Sequence, residues 1–266
     1  MGATSAWWVL LTISGQGAAL GQTAASPPTY RAAQLHCARF AESSHGRIET
    51  ETARGAVKGT ADREGIWSFR ARDSSQGVVV EAWYDSLSLS RRTGDSEVQA
   101  DTDGLIGGRY RGVLSPWGGF TETARPFVPD EVAEVADLSG AARDLLPHLP
   151  PKALAPGEAW RDSGLVLSRL PDTLIAGRPL LHFRLESRGE ASQTVPRGDT
   201  VAIPMKETTI EQGEIFWSPA VGLVRRTRDI TVEAAIPSGG RIRQPVRSRI
   251  VQHIILSRLR SQASCR

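Results

Sequence analysis

The chain has 266 residues, with 32 Lys and Arg against 29 Asp and Glu and a formal net charge of +3 at pH 7. So near-neutral a balance gives no global field for nucleic acid, and the length suits one large β domain or two small ones. There is no Asn, which excludes N-glycosylation, and Lys58, Lys152 and Lys206 are the only Lys, so a single Arg carries little information.

The first element is a short apolar run, residues 6–13. It is too short for the roughly 20 residues a bilayer span needs, and the small Ala19 and Gly21 stand where a signal peptidase reads. Residues 1–21 therefore read as a signal peptide cleaved before Gln22, against the alternative of a buried N-terminal strand. Residues 22–266 then form a single exported β-rich domain, periplasmic or extracellular and soluble after cleavage. No later stretch is apolar enough to span a membrane, and His36 beside Cys37 is the wrong neighbour for an acylated Cys. Cys37 and Cys265 make an even pair, which in an oxidising compartment predicts a disulfide. Closing a loop of more than 200 residues is worth about 4–5 kcal/mol in the chain-entropy model. The alternative is two unpaired thiols on frayed ends.

Between these ends, period-two alternation dominates. Trp67, Phe69 and Ala71 take one face while Ile66, Ser68 and Arg70 take the other. Val78, Val80, Ala82 and Tyr84 share a face, and Leu87 and Leu89 continue in the opposite phase, which predicts a bulge or turn at Asp85-Ser86. Leu181, Phe183 and Leu185 alternate with His182, Arg184 and Glu186. Each reads as a half-buried antiparallel strand with one wet face. Turn residues punctuate the strands at Ser74-Ser75-Gln76-Gly77, Thr93-Gly94-Asp95, Asp101-Thr102-Asp103-Gly104, Pro171-Asp172 and Ser238-Gly239-Gly240.

Residues 130–149 break this pattern. Val132, Val135, Leu138, Ala142, Leu145, Leu146 and Leu149 recur at three and four, with Asp130 capping one short helix and Ser139 a second. Pro150-Pro151 and Ala155-Pro156-Gly157 then make a stiff connector. The predicted fold is mainly β: a curved antiparallel sheet or half-open barrel, with a short helical segment (130–157) between β-rich halves at about 35–125 and 158–260. In the second half, the clearest hairpin pairs Ile236 with Ile242, Val232 with Val246 and Asp229 with Arg249.

The chemistry-bearing motifs are mostly missing. The sequence has no Gly-x-Ser-x-Gly elbow, no His-Glu-x-x-His pair and no phosphate-cradling Gly-rich loop. His36, His45, His148, His182 and His253 lack metal-ligand spacing, so no metal, cofactor or catalytic residue is assigned. Asp101 and Asp103 precede Gly104, but Gln99 and Tyr110 stand where a calcium loop needs its first and twelfth ligands, so a β-turn is the reading. Arg241, Arg243, Arg247 and Arg249 share one parity, a positive stripe that suits an anionic envelope component; the alternative is an ordinary solvated face. Trp67, Trp83, Trp117, Trp160 and Trp217 read first as core, and Trp67, Phe69 and Trp217 are the first candidates for the wall of an apolar cavity.

The mid-chain runs Leu149-Pro150-Pro151 and Pro156-Gly157-Glu158-Ala159-Trp160 resemble the junction of uncharacterised exported bacterial β-rich proteins. Phe216-Trp217-Ser218-Pro219-Ala220-Val221-Gly222-Leu223 is similar to their hairpin before a long strand. The resemblance covers residues 145–258 and implies location and architecture alone. More distantly, a curved sheet with a helical plug is similar to the lipoprotein-carrier half-barrels of the bacterial envelope, none of whose binding residues has a counterpart here. The expectation is a non-enzymatic envelope module that binds a lipid-like or other apolar ligand in the concavity of the sheet, with no cofactor, no nucleic acid and no membrane span. The alternatives are a structural or protein-interaction domain with a filled core, and then an enzyme.

Overall fold

Alternating apolar and polar residues fold into one antiparallel sheet of twelve strands in the computed structural model, which describes residues 26–197, 201–237 and 245–260. The expected signal peptide, Cys265, Arg241, Arg243 and the Ser238-Gly239-Gly240 turn lie outside the described residues. After helix α1 (Ala32–Leu35) come β1 (Arg39–Thr52), β2 (Gly55–Ser74), β3 (Gly77–Thr93), β4 (Ser96–Gln99), β5 (Tyr110–Leu114) and β6 (Phe120–Ala124). Two short helices follow, α2 (Asp130–Ala133) and α3 (Ala141–Leu145). The second half holds β7 (Ala159–Asp162), β8 (Leu165–Ile175), β9 (Arg178–Arg197), β10 (Val201–Ser218), β11 (Gly222–Ile236) and β12 (Val246–Arg258).

The strand order is β6-β5-β3-β2-β1-β12-β11-β10-β9-β8-β7, with β4 added to β3. The chain thus starts at the centre and meanders out to β6. It crosses over through α2 and α3, restarts at the far edge with β7, and meanders back until β12 pairs with β1. The sheet does not close into a barrel, because its two ends, β6 and β7, do not pair. Both edge strands are short, which limits the unpaired backbone they present. Among the described residues no helix is long and apolar enough to cross a membrane.

The apolar parity of each strand points to the face that the crossover covers. Phe40, Trp67, Phe69, Ile215, Trp217 and Leu256 are buried there against Val132, Leu138, Leu145 and Leu149 of the crossover. Each such large side chain contributes about 1.5–3 kcal/mol by leaving water. Further bonds pin the crossover in place. Tyr30 Oη donates to the Pro147 carbonyl (3.0 Å), and the Leu149 N–H donates to the Trp117 carbonyl (2.9 Å).

The phase change in β3 is a β-bulge. Ile66 pairs with Ser86 and Trp67 with Tyr84, so Asp85 is the extra residue. Its carboxylate is held by Arg39 Nε (3.1 Å), Ser68 Oγ (2.5 Å) and Trp83 Nε1 (2.9 Å). Both Tyr84 before it and Leu87 after it therefore reach the core.

Three local expectations need correction. The β11–β12 register is displaced by four residues: Ile236 lies opposite Val246 and Val232 opposite Ile250. The expected pairing would have drawn Pro245 into a central ladder, where it has no N–H to donate, so β12 begins after it. The displacement is even, so every residue keeps its face; Glu233 now faces Arg249, and Asp229 faces His253. Pro171-Asp172 is not a turn but an irregularity inside β8, and the turn to β9 is made by Ala176 (φ 49°) and Gly177 (φ 75°). The helix N-caps are Pro129 and Gly140 rather than Asp130 and Ser139, which fall one residue inside and one outside.

A close approach gives a test of the concave packing. A Cβ on Gly65 would lie 3.0 Å from the Tyr84 ring and from the Ser86 carbonyl, whereas one on Gly189 would meet nothing within 4 Å. Gly65→Ala should lower stability by about 1–3 kcal/mol through overpacking. Gly189→Ala should leave it unchanged or raise it by about 0.5–1 kcal/mol. Urea midpoints of the two variants check this, and equal shifts would contradict the packing described.

Candidate functional site

The crossover covers only part of the concave face. Antiparallel registers align residues of β11, β12, β1 and β2 into rows that step away from the core. The first row is Arg226, Leu256 and Glu42; the next is Arg228, Ile254, Ser44 and Arg63. Then come Ile230, Gln252, Gly46 and Ala61, and beyond them Val232, Ile250, Ile48 and Gly59. Gly46 and Ala61 are directly paired, so the floor is low at that point. Ala136, Gly140 and Ala141 of the crossover, which also line this space, are small as well, and a cleft of about 390 Å³ remains between sheet and crossover. That volume falls in the range of small-molecule sites.

The inner end of the cleft is charged and organised. Glu42 is 6 % exposed, yet it accepts from Arg63 Nη2 (2.6 Å), Trp67 Nε1 (2.8 Å) and Tyr84 Oη (3.4 Å). Burial opposes the Arg63 charge, but Glu42 outweighs it and holds the guanidinium above its ordinary value. Arg63 Nε is buried without a hydrogen-bond partner among the described residues. On the other side Glu211 accepts from Arg226 Nη2 (3.0 Å) and, through both oxygens, from Arg228 (2.7 and 2.9 Å). Arg226 Nη1 also donates to the carbonyls of Asp144 (2.7 Å) and Leu145 (3.3 Å), satisfying the end of α3 and clasping the crossover to the sheet. Burial and then the neighbouring Arg228 push Arg226 down to about 10. At neutral pH it therefore stays charged. Burial alone would raise the Glu211 carboxyl, but Arg228 and Arg226 hold it below its ordinary value.

The residues named from sequence lie elsewhere. Trp67 packs on Tyr84 with ring centroids 3.7 Å apart, Phe69 meets Phe40 edge-on at 5.5 Å, and Trp217 meets Tyr30 edge-on at 4.9 Å. All three are at most 2 % exposed and belong to the filled core rather than to the cleft lining. Arg247 and Arg249 project from the opposite, convex face, where the ladder sets them beside Glu51 and between Glu49 and Glu233. This described half of the stripe is interleaved with carboxylates. The cleft residues missed from sequence had one signal: Glu42 and Arg63 share the parity of Phe40 and Trp67, and a charge on an apolar strand face is unusual.

Among the described residues, no group of three or more His, Cys, Asp or Glu side chains is arranged to hold a metal ion. No known protein family matches the sequence, and no curated protein matches it either.

The clasp carries a pH dependence. The folded-state pKa of Glu211 is lowered, so its contribution is present above about pH 4.5, the ordinary value, and is lost as the pH falls below it. Glu211→Gln should lower stability by about 1.5–3 kcal/mol at pH 7, and the two proteins should converge on acidification. Parallel unfolding curves from pH 7 to pH 3 would contradict this.

Proposed function

We propose that this protein is a non-catalytic, exported envelope module that takes a lipid-like or other apolar ligand in the concavity of its sheet. The observation that carries the reading is the row Val232, Ile250 and Ile48. It lies on the concave face, is only half-buried, and runs into the cleft without a change of face. An apolar floor that ends on guanidinium groups suits a chain-like ligand with its polar end inward. Trp67 supports this from behind, since it fixes Glu42 and Glu42 fixes Arg63.

Export and the Cys37–Cys265 disulfide are part of the same proposal. The Leu259 N–H donates to the Arg39 carbonyl (2.9 Å), so the end of β12 runs beside the residues that follow Cys37. Protein from an oxidising compartment should weigh about 2 Da less than after reduction; an unchanged mass would rule the bridge out.

A fluorescent long-chain fatty acid is the probe for the cleft. It should bind saturably, and Ile250→Asp should weaken binding at least ~10-fold, equivalent to about 1.4 kcal/mol. Val251→Asp, one residue along on the convex face, should leave it unchanged. Equal affinities for the two folded variants would contradict a ligand site on the concave face.

A further inference from the structure

We propose that His45 and His253 form a two-nitrogen clamp for a borderline divalent transition-metal ion on the convex face, at the seam between the two halves of the sheet. The two residues are direct cross-strand partners in the β1–β12 ladder. Directly opposed side chains leave the sheet from Cα atoms about 4.5–5.5 Å apart, so the imidazoles project side by side. Both are about half exposed, at 53 % and 51 % of the side chain.

Each ring is held by its own carboxylate. His45 Nδ1 lies 2.5 Å from Asp62 Oδ1, and His253 Nδ1 lies 2.7 Å from Asp229 Oδ1. The registers place the four residues in one row, Asp62, His45, His253 and Asp229, with a carboxylate at each end. A carboxylate accepting from Nδ1–H fixes the tautomer in which Nε2 carries the lone pair. That is the arrangement by which outer-shell carboxylates orient metal-binding histidines and raise their basicity. Two such nitrogens on adjacent strands are the donor set that Cu²⁺, Ni²⁺ and Zn²⁺ favour.

The surrounding charge is compatible with a cation. Asp62 and Asp229 supply two negative charges, and on the same face Glu64 and Arg47, two residues along β2 and β1, offset each other. With two protein ligands, the remaining coordination positions belong to water or to an outside donor. The ion would bridge β1 to β12, the single ladder among the described residues through which the two halves of the sheet are joined.

The test is a Zn²⁺ titration of the purified, oxidised protein by calorimetry. The expected result is about one saturable site per chain, with Asp62→Asn or Asp229→Asn weakening binding about 10–100-fold. His45→Gln and His253→Gln should each weaken it further, while His148→Gln, on the exposed side of the crossover, should not. As a check free of substitutions, Ni²⁺ should broaden the ring proton signals of His45 and His253 before those of the other histidines. Binding that survives in the His45→Gln/His253→Gln double variant, broadening centred on another histidine, or no saturable Zn²⁺ binding would each overturn the proposal.

Discussion

An antiparallel sheet that stays open has to bury its apolar face against something other than itself, and here that cover is the crossover between β6 and β7. The crossover has little helical structure of its own, with four residues in α2 and five in α3. Segments so short are not stable by propensity. Their shape is imposed by Val132, Leu138, Leu145 and Leu149 entering the core and by Arg226 taking up the carbonyls of Asp144 and Leu145. Arg226 is buried and charged, which is costly unless its donors are used. Glu211 and those two carbonyls use them, so one guanidinium joins sheet, crossover and counter-ion.

The same cover explains why a cleft exists. Strands β1, β2, β11 and β12 are long, and their apolar parity continues past the point where the crossover ends. A fully packed core occupies one end, built on Trp67, Trp217 and Phe40 and closed by α1 near Pro219. Toward the other end the floor is lowered by Gly46 and Ala61, and the packed layer gives way to a space walled by isoleucines and guanidiniums. Core and cleft are therefore consecutive stretches of one face, distinguished by side-chain size rather than by separate elements.

The fold class was legible because it rests on local periodicity. The alternation around Trp67 and around Phe183 identified strands directly, and the phase change predicted a bulge or turn at Asp85-Ser86, which is a bulge. The crossover was legible from its three-and-four spacing. The β11–β12 register was not, because pairing Val232 with Val246 or with Ile250 gives equally good faces. Pro245, which has no N–H to give to a central ladder, favours the observed one. The site was harder still. Cross-strand neighbours such as His45 and His253, or Glu211 and Arg228, are separated in sequence and meet only through a register that periodicity does not supply. Trp67 and Trp217, reasonable markers for a cavity wall, had gone to the core, while Trp117 is exposed and Glu42 and Arg63 held the cleft.

A ligand of apolar or amphiphilic character in the concave cleft is the central claim. Native mass spectrometry of protein produced in an oxidising compartment, before and after organic extraction, tests it most directly. The expected result is an added mass that disappears on extraction and returns on incubation with envelope lipids. A bare mass that stays bare under both conditions would contradict it and leave a filled-core interaction domain as the better description.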